Sequence, residues 1–212
     1  MEGRQSRIEE NPQVHNDHPS QGNHRESVLD MFRKCGALLQ GHFVLSSGSH
    51  SDRYFQCALL FDDPRLGRSL AQALADKIRR QLGNRRIDRV VGPAMGGIII
   101  GHEVAHALGV RSCFTERVGK RMALRRGFEV RAGERVLIVE DVVTTGGSAG
   151  ETASVMRELG AKVEGVACIV DRTQDSRDAP LVSLIKVQVT TWDVNECPLC
   201  HQGQAVVKPG SR

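Results

Sequence analysis

Two neighbouring acids, Glu140 and Asp141, stand between the apolar run 136–139 and the sequence Val142-Val143-Thr144-Thr145-Gly146-Gly147-Ser148 (ERVLIVEDVVTTGGS, residues 134–148). An apolar run without alternation predicts a strand buried on both faces. The glycines and hydroxyls behind it open a helical run, AGETASVMRELG. A hydroxyl-rich loop and a helix N-terminus therefore fall at the carboxyl end of an interior strand. Free N–H groups and the positive end of the macrodipole can hold a phosphate there. Two acids at the strand end are suited to accept hydrogen bonds from the hydroxyls of a sugar. The spelling has no Gly-Lys-Ser/Thr ending and no G-x-G-x-x-G spacing, so it is neither a Walker A loop nor a Rossmann fingerprint. An ordinary strand–turn–helix crossover needs neither adjacent acids nor three hydroxyls.

Other stretches carry weaker signals. The turn Gly92-Pro93-Ala94-Met95-Gly96-Gly97 also joins a strand to a helix, as in many α/β crossovers. RVGKRMALRRGFEV holds five Arg or Lys between Arg117 and Arg126, and a solvated hairpin explains Arg121, Arg125 and Arg126 as well as a function does. Arg172 follows Asp171 at the end of KVEGVACIVDR, where a surface ion pair is the plain reading. Cys-Pro-Leu-Cys-His at 197–201 supplies half of a zinc site. Three outcomes stay open for Cys197 and Cys200: a structural zinc completed by His201 or distant residues, an intrachain disulfide, or inert thiols. Inert thiols are preferred, with metal second. Haem attachment would require export, and redox chemistry a different strand–helix context.

These residues need elements to hold them. With 212 residues the chain can bury one sizeable core. No apolar run approaches the ~20 residues that cross a bilayer. The amino end lacks an apolar h-region, so a cytoplasmic protein is expected. The formal charge of +4 suits an anionic substrate or plain solubility, and does not establish nucleic-acid binding. Cys35, Cys57, Cys113 and Cys168 lie singly in or beside apolar segments, as buried free thiols do.

Residues 1–24 read as a disordered polar tail with solvated His15, His18 and His24. Residues 25–62 read as an N-terminal unit: a helix over 27–40 closed by Gly41, then short β pieces at 43–45 and 54–59 around the turn 46–51. Residues 63–192 read as the core. A helix over 64–82 leads to a strand at 87–93 and a helix ending at Leu108 with Gly109 as its cap. Strands at 110–116 and 134–143, a helix over 148–159, and strands at 162–172 and 181–190 follow, with Trp192 nearby. Residues 193–212 form a Cys-containing tail. Alternating strands and helices predict an α/β fold with a parallel sheet covered on both faces, its ligand crevice at the carboxyl ends of the strands.

The apolar strand, acid pair and Thr-Thr-Gly-Gly-Ser loop resemble the phosphoribosyl-pyrophosphate (PRPP) motif of type I phosphoribosyltransferases. F-x-L-x-S-G-x-x-S over 43–51, followed by Tyr54 and Phe55, resembles the amino-terminal hood of the orotate-specific members. The resemblance implies the type I phosphoribosyltransferase fold, a central parallel sheet flanked by helices with a small N-terminal hood. It also implies transfer of a phosphoribosyl group from PRPP to orotate with Mg²⁺. Glu140, Asp141, Val142, Val143, Thr144, Thr145, Gly146, Gly147 and Ser148 would bind PRPP, with Met95 and Gly96 on the diphosphate loop. Arg117 and Lys120 would meet the diphosphate from a loop exchanged within a homodimer, and with Asp141 they are the implied catalytic residues. Thr144, Arg172, Tyr54 and Phe55 would hold orotate. No membrane partner is implied, and nucleic acid is not expected.

The sequence departs from the family at several positions. Ser46 and Gly96 stand where many members have Lys. Glu116, Arg117 and Met122 replace an Arg, a Lys and a His of the family's loop, while Lys120 keeps its second Lys. Two rivals follow: a phosphoribosyltransferase for another base, and a PRPP-sensing regulator that binds nucleic acid through the 117–131 cluster.

Overall fold

In the computed structural model, the described residues (27–45, 47–83, 85–173 and 181–209) build two sheets. The tail expected over 1–24, and Ser46, lie outside the described residues. The larger sheet takes the long apolar runs. Its strands are β3 (Arg89–Pro93), β4 (Arg111–Val118), β5 (Arg121–Leu124), β6 (Arg135–Val143), β7 (Lys162–Asp171) and β8 (Leu181–Lys186), in the order β5-β4-β3-β6-β7-β8. All neighbours are parallel except β4 and β5, which form an antiparallel hairpin at one edge.

The expected double burial of β6 is observed. Leu137 and Val139 pack with Leu70, Leu74 and Ile78 of α2 (Pro64–Leu82) and Ile100 and Val104 of α3 (Gly96–Leu108). Val136 and Ile138 pack on the other face with Ala149, Ala153 and Met156 of α4 (Gly147–Glu158). Successive side chains of a strand point to opposite faces, so a run without polar interruptions suits only the middle of such a sandwich. Each buried branched side chain contributes about 1.5–3 kcal/mol.

The smaller sheet is the hood, in the order β1-β2-β9: β1 (Leu38–Val44), β2 (His50–Phe55) and β9 (Thr191–Trp192). The helix expected over 27–40 is shorter. α1 (Val28–Lys34) stops before Gly36, which takes a left-handed φ of 63°. Leu38 and Leu39 then pair across the hairpin with Phe55 and Tyr54, so their apolar spacing belongs to a strand. Gly41 lies in the irregularity between Gln40 and Phe43 and ends no helix. The second β piece is likewise shifted: β2 closes at Phe55, and Cys57–Phe61 forms a 3-10 turn. The strand expected over 181–190 ends at Lys186, and the chain then returns to pair Thr191 and Trp192 with β2.

The carboxyl-terminal segment crosses back to the hood through the short helix α5 (Pro198–His201). Val207 bonds with β1 through Val44 N–H to Val207 O at 2.9 Å and Val207 N–H to His42 O at 2.8 Å. No helix among the described residues is long and apolar enough to cross a membrane.

Candidate active site

The carboxyl ends of β3, β6 and β7 open into one cavity of about 1180 Å³. Its floor carries Met95, Gly96, Glu140, Asp141 and Val142, and one wall the loop residues Thr144, Thr145, Gly146 and Ser148. Val143 is buried behind the loop, and Gly147 begins α4 beside it. Tyr54, Phe55 and Arg172 close the hood side. The structure thus brings together the acid pair, both glycine turns and the hood aromatics expected from sequence. It also adds Lys208 and Pro209 from the carboxyl-terminal segment. Their only signal in sequence was the Lys-Pro-Gly spelling near the end.

Helix capping separates structure from site. Ser27 and Asp63 cap α1 and α2 with their side chains. α3 and α4 have no side-chain cap hydrogen bond and no acid in their first turn. Both of these uncapped amino ends face the cavity, where their N–H groups and partial positive charge favour an anion. Gly146, at the start of α4, has a left-handed φ of 77° that lets the loop turn into the helix.

Glycine at 96 leaves room for the Asp141 carboxylate. A Cβ there would lie 2.5 Å from both carboxylate oxygens of Asp141. The Lys that the family resemblance would put at this position has no room unless the Asp141 carboxylate moves. Gly97 is equally tight, with Val139 O 2.7 Å and Pro93 Cδ 2.8 Å from a built Cβ. The turn after β3 is thereby held against the end of β6.

The acid pair is electrostatically tense. Glu140 is 8% exposed. Burial, and then the charge of Asp141, push its carboxyl up to about 8. Burial also raises Asp141, although the Val142 N–H donates to its Oδ1 at 2.7 Å. Two buried carboxyls side by side thus disfavour carrying both charges at once.

Opposite the acids, Tyr54 tilts against Phe43 with ring centroids 5.9 Å apart. Burial and the Asp141 charge raise its phenol, while Arg172 opposes the shift. Phe55 is mostly core, edge-on to Phe32 at 5.2 Å. The surface ion pair of Arg172 with Asp171 does not form. Asp171 instead accepts from Thr173 N–H at 2.7 Å and meets Lys186 at 4.0 Å. Arg172 Nε is buried without a hydrogen-bond partner, and burial pulls the guanidinium pKa down. A cation left short of acceptors on a cavity wall fits a ligand that brings carboxylate or carbonyl oxygens.

Arg117 and Lys120 do not line the cavity. They sit on the β4–β5 hairpin, where Arg117 bonds to Lys120 O at 3.0 Å and to Glu151 of α4 at 3.2 Å. Arg125 and Arg126 pair with Glu116 at 3.5 and 2.7 Å. The basic segment is in large part neutralised by its own neighbours. His201, a suggested partner for the cysteines, turns away to Asn195 O at 3.2 Å. Two residues that sequence reasoning passed over, His42 and His50, stand beside Cys197 and Cys200 instead.

A phosphoribosyl transferase domain model matches residues 60–203. The chain belongs to the phosphoribosyltransferase family. Among curated relatives, the orotate phosphoribosyltransferase of Desulforamulus reducens is 49% identical over 190 residues, covering 89% of this chain and 97% of that protein. The orotate phosphoribosyltransferase of Caldanaerobacter subterraneus is 50% identical, covering 89% and 98%. Among solved structures, the orotate phosphoribosyltransferase of Aeropyrum pernix aligns with a TM-score of 0.61 at 29% identity, covering 72% of this chain and 89% of that one. This phosphoribosyltransferase thus has the expected α/β fold, with its cavity where the strand order predicts a crevice.

Proposed function

We infer that the chain transfers the 5-phosphoribosyl group of PRPP to orotate, giving orotidine 5′-phosphate and pyrophosphate in pyrimidine nucleotide synthesis. Relatives of that name, nearly full length at 46–50% identity, support the substrate. The single observation that carries the reading is the acid pair set between two uncapped helix ends, across the cavity from an arginine whose buried Nε has no acceptor among the described residues.

The 5′-phosphate sits in the 144–148 loop at the start of α4. The diphosphate lies along Met95 and Gly96 at the start of α3, and the ribose hydroxyls donate to Glu140 and Asp141. Orotate packs between Tyr54 and the loop at Thr144, its carboxylate on Arg172. As the C1–O bond to diphosphate breaks, the ring gains oxocarbenium character, and the bond from the pyrimidine nitrogen to C1 completes the transfer. Asp141 lies where its charge stabilises that cation, and the helix ends hold the departing anion. The two carboxylates are hard oxygen donors beside the diphosphate turn and crowded enough to retain a proton, so the residues fit Mg²⁺. When bound, the ion neutralises the leaving group.

Arg117 and Lys120 act on a neighbour's site in a homodimer. Their place on an exposed hairpin outside their own cavity supports this, as does the exposed apolar pair Met95 (83%) and Ile99 (50%) at the start of α3. The enzyme works in the cytoplasm. The decisive experiment measures pyrophosphate release from PRPP and Mg²⁺ with orotate, uracil and hypoxanthine. Release with orotate alone is expected. Release with hypoxanthine but not orotate would overturn the assignment. No turnover with any base, together with salt-sensitive nucleic-acid binding, would favour a regulator.

A further inference from the structure

We propose that His42, His50, Cys197 and Cys200 form a closed, tetrahedral zinc site that clamps the carboxyl-terminal segment onto the hood. None of the four residues lines the cavity, and their four ligand atoms all lie within 4.8 Å of one another. His42 Nε2 lies 2.8 Å from His50 Nδ1 and 3.4 Å from Cys197 Sγ. Cys200 Sγ is 3.7 Å from His42 Nε2 and 3.3 Å from His50 Nδ1. A tetrahedron with about 2.0–2.1 Å zinc–nitrogen and about 2.3 Å zinc–sulfur bonds has edges of roughly 3.3–3.8 Å. Three of these four spacings already match; an entering ion would part the imidazole nitrogens by about 0.5 Å and draw together any ligand atoms that stand as far as 4.8 Å apart.

The surroundings favour a metal over a chance meeting of four side chains. His42 Nδ1 lies 2.9 Å from Gln204 O, so the ring donates there and turns the Nε2 lone pair inward. His42, His50 and Cys197 are 3%, 6% and 0% exposed, which leaves no open position for a substrate. Two thiolates with two imidazoles in tetrahedral array select zinc among common metals. Without an ion, two thiols offer only weak hydrogen bonds to a pair of rings that share one proton.

The clamp also answers a mechanical need. Of residues 193–209 only Cys197 is buried, and Val194, Val206 and Val207 are about half exposed. So little apolar burial cannot hold a segment that contributes two strand-edge hydrogen bonds and delivers Lys208 and Pro209 to the cavity. A metal bridge from β1 and β2 to the start of α5 supplies the missing tie.

The test is metal content of the full-length chain without a polyhistidine tag, produced with zinc and passed through gel filtration. About one zinc per chain is expected, and cobalt exchanged into the site should give the intense visible bands of tetrahedral thiolate coordination. The paired substitution Cys197→Ser, Cys200→Ser should lower the zinc content at least about tenfold and hasten proteolysis after the core. A native chain that carries no zinc, or octahedral cobalt spectra, would overturn the site. So would undiminished zinc in the double variant, or a Cys197–Cys200 disulfide in protein isolated under reducing conditions.

Discussion

The cavity and the His/Cys cluster lie at opposite extremes of how a chain assembles chemistry. The acid pair and the anion loop are contiguous, drawn from residues 140–148 on a strand with no exposed face. The cluster draws on a three-stranded sheet and a segment whose Cys197 is 155 residues from His42. The first region is rigid because Val136, Leu137, Ile138 and Val139 are sealed between helices. The segment in the second buries only Cys197, so its hold on the sheet must come from what the four donors bind. In one region the apolar sandwich holds the fold and the buried charge of the reactive groups works against it. In the other, reactive groups and stability are the same thing.

The sharpest break of that comparison is Asp141→Asn. Removing a charge that stabilises a cationic ring should lower kcat by about 10²–10³-fold. Because burial opposes the charge on Asp141, the melting temperature should hold or rise. Steady-state turnover beside a thermal melt reads both. A variant with near-normal kcat would place the chemistry elsewhere, and one that fails to fold would make the acid pair structural. The paired cysteine substitution should do the reverse, loosening the tail before it touches the chemical step.

The same contrast explains what could be read from sequence. The helix over 64–82 and the double burial of β6 were legible because local period and burial agree there. The acids and their loop were legible because the site is one stretch of chain. The hood was misread where Leu38 and Leu39 extended a helical spacing across Gly36; pairing with Phe55 and Tyr54 decided the matter, and pairing is not local. His42 stands between Gly41 and Phe43 and His50 between two serines, so neither is marked as a ligand by its own neighbours. Nothing near them in sequence points to residues 197–200. Lys208 was missed for the same reason, since only the fold returns it to the cavity.

A smaller effect tests how tightly the two glycine turns are coupled. Gly96→Ala puts a methyl where the Asp141 carboxylate now sits, 2.5 Å from both oxygens. The carboxylate must rotate or the turn must withdraw. Misplacing either by about 1 Å should cost on the order of 10²-fold in kcat/KM. The metal content should not change, because the cluster shares no residue with this turn. Kinetics with PRPP and orotate, alongside zinc analysis, distinguish a local effect from a general loosening. Unchanged kcat/KM would mean that Asp141 has room to move without consequence.

A last test lies in the pH dependence of the unliganded protein. The Glu140 carboxyl is raised from 4.5 in an exposed chain to about 8 in the fold. The folded state therefore binds a proton that the unfolded chain releases between those values. Its stabilising share is complete below the unfolded value and is lost as pH climbs through the folded one, at up to about 1.4 kcal/mol per pH unit. The wild-type melting temperature should accordingly fall from about pH 5 to about pH 8 more steeply than that of Glu140→Gln, which keeps a neutral side chain of the same shape. Taking the difference between the two curves cancels the titrating groups that do not interact with Glu140 and leaves the coupled pair it forms with Asp141. Parallel curves would mean that Glu140 is already ionised at neutral pH, and that the interior of this sheet tolerates both charges before any ligand arrives.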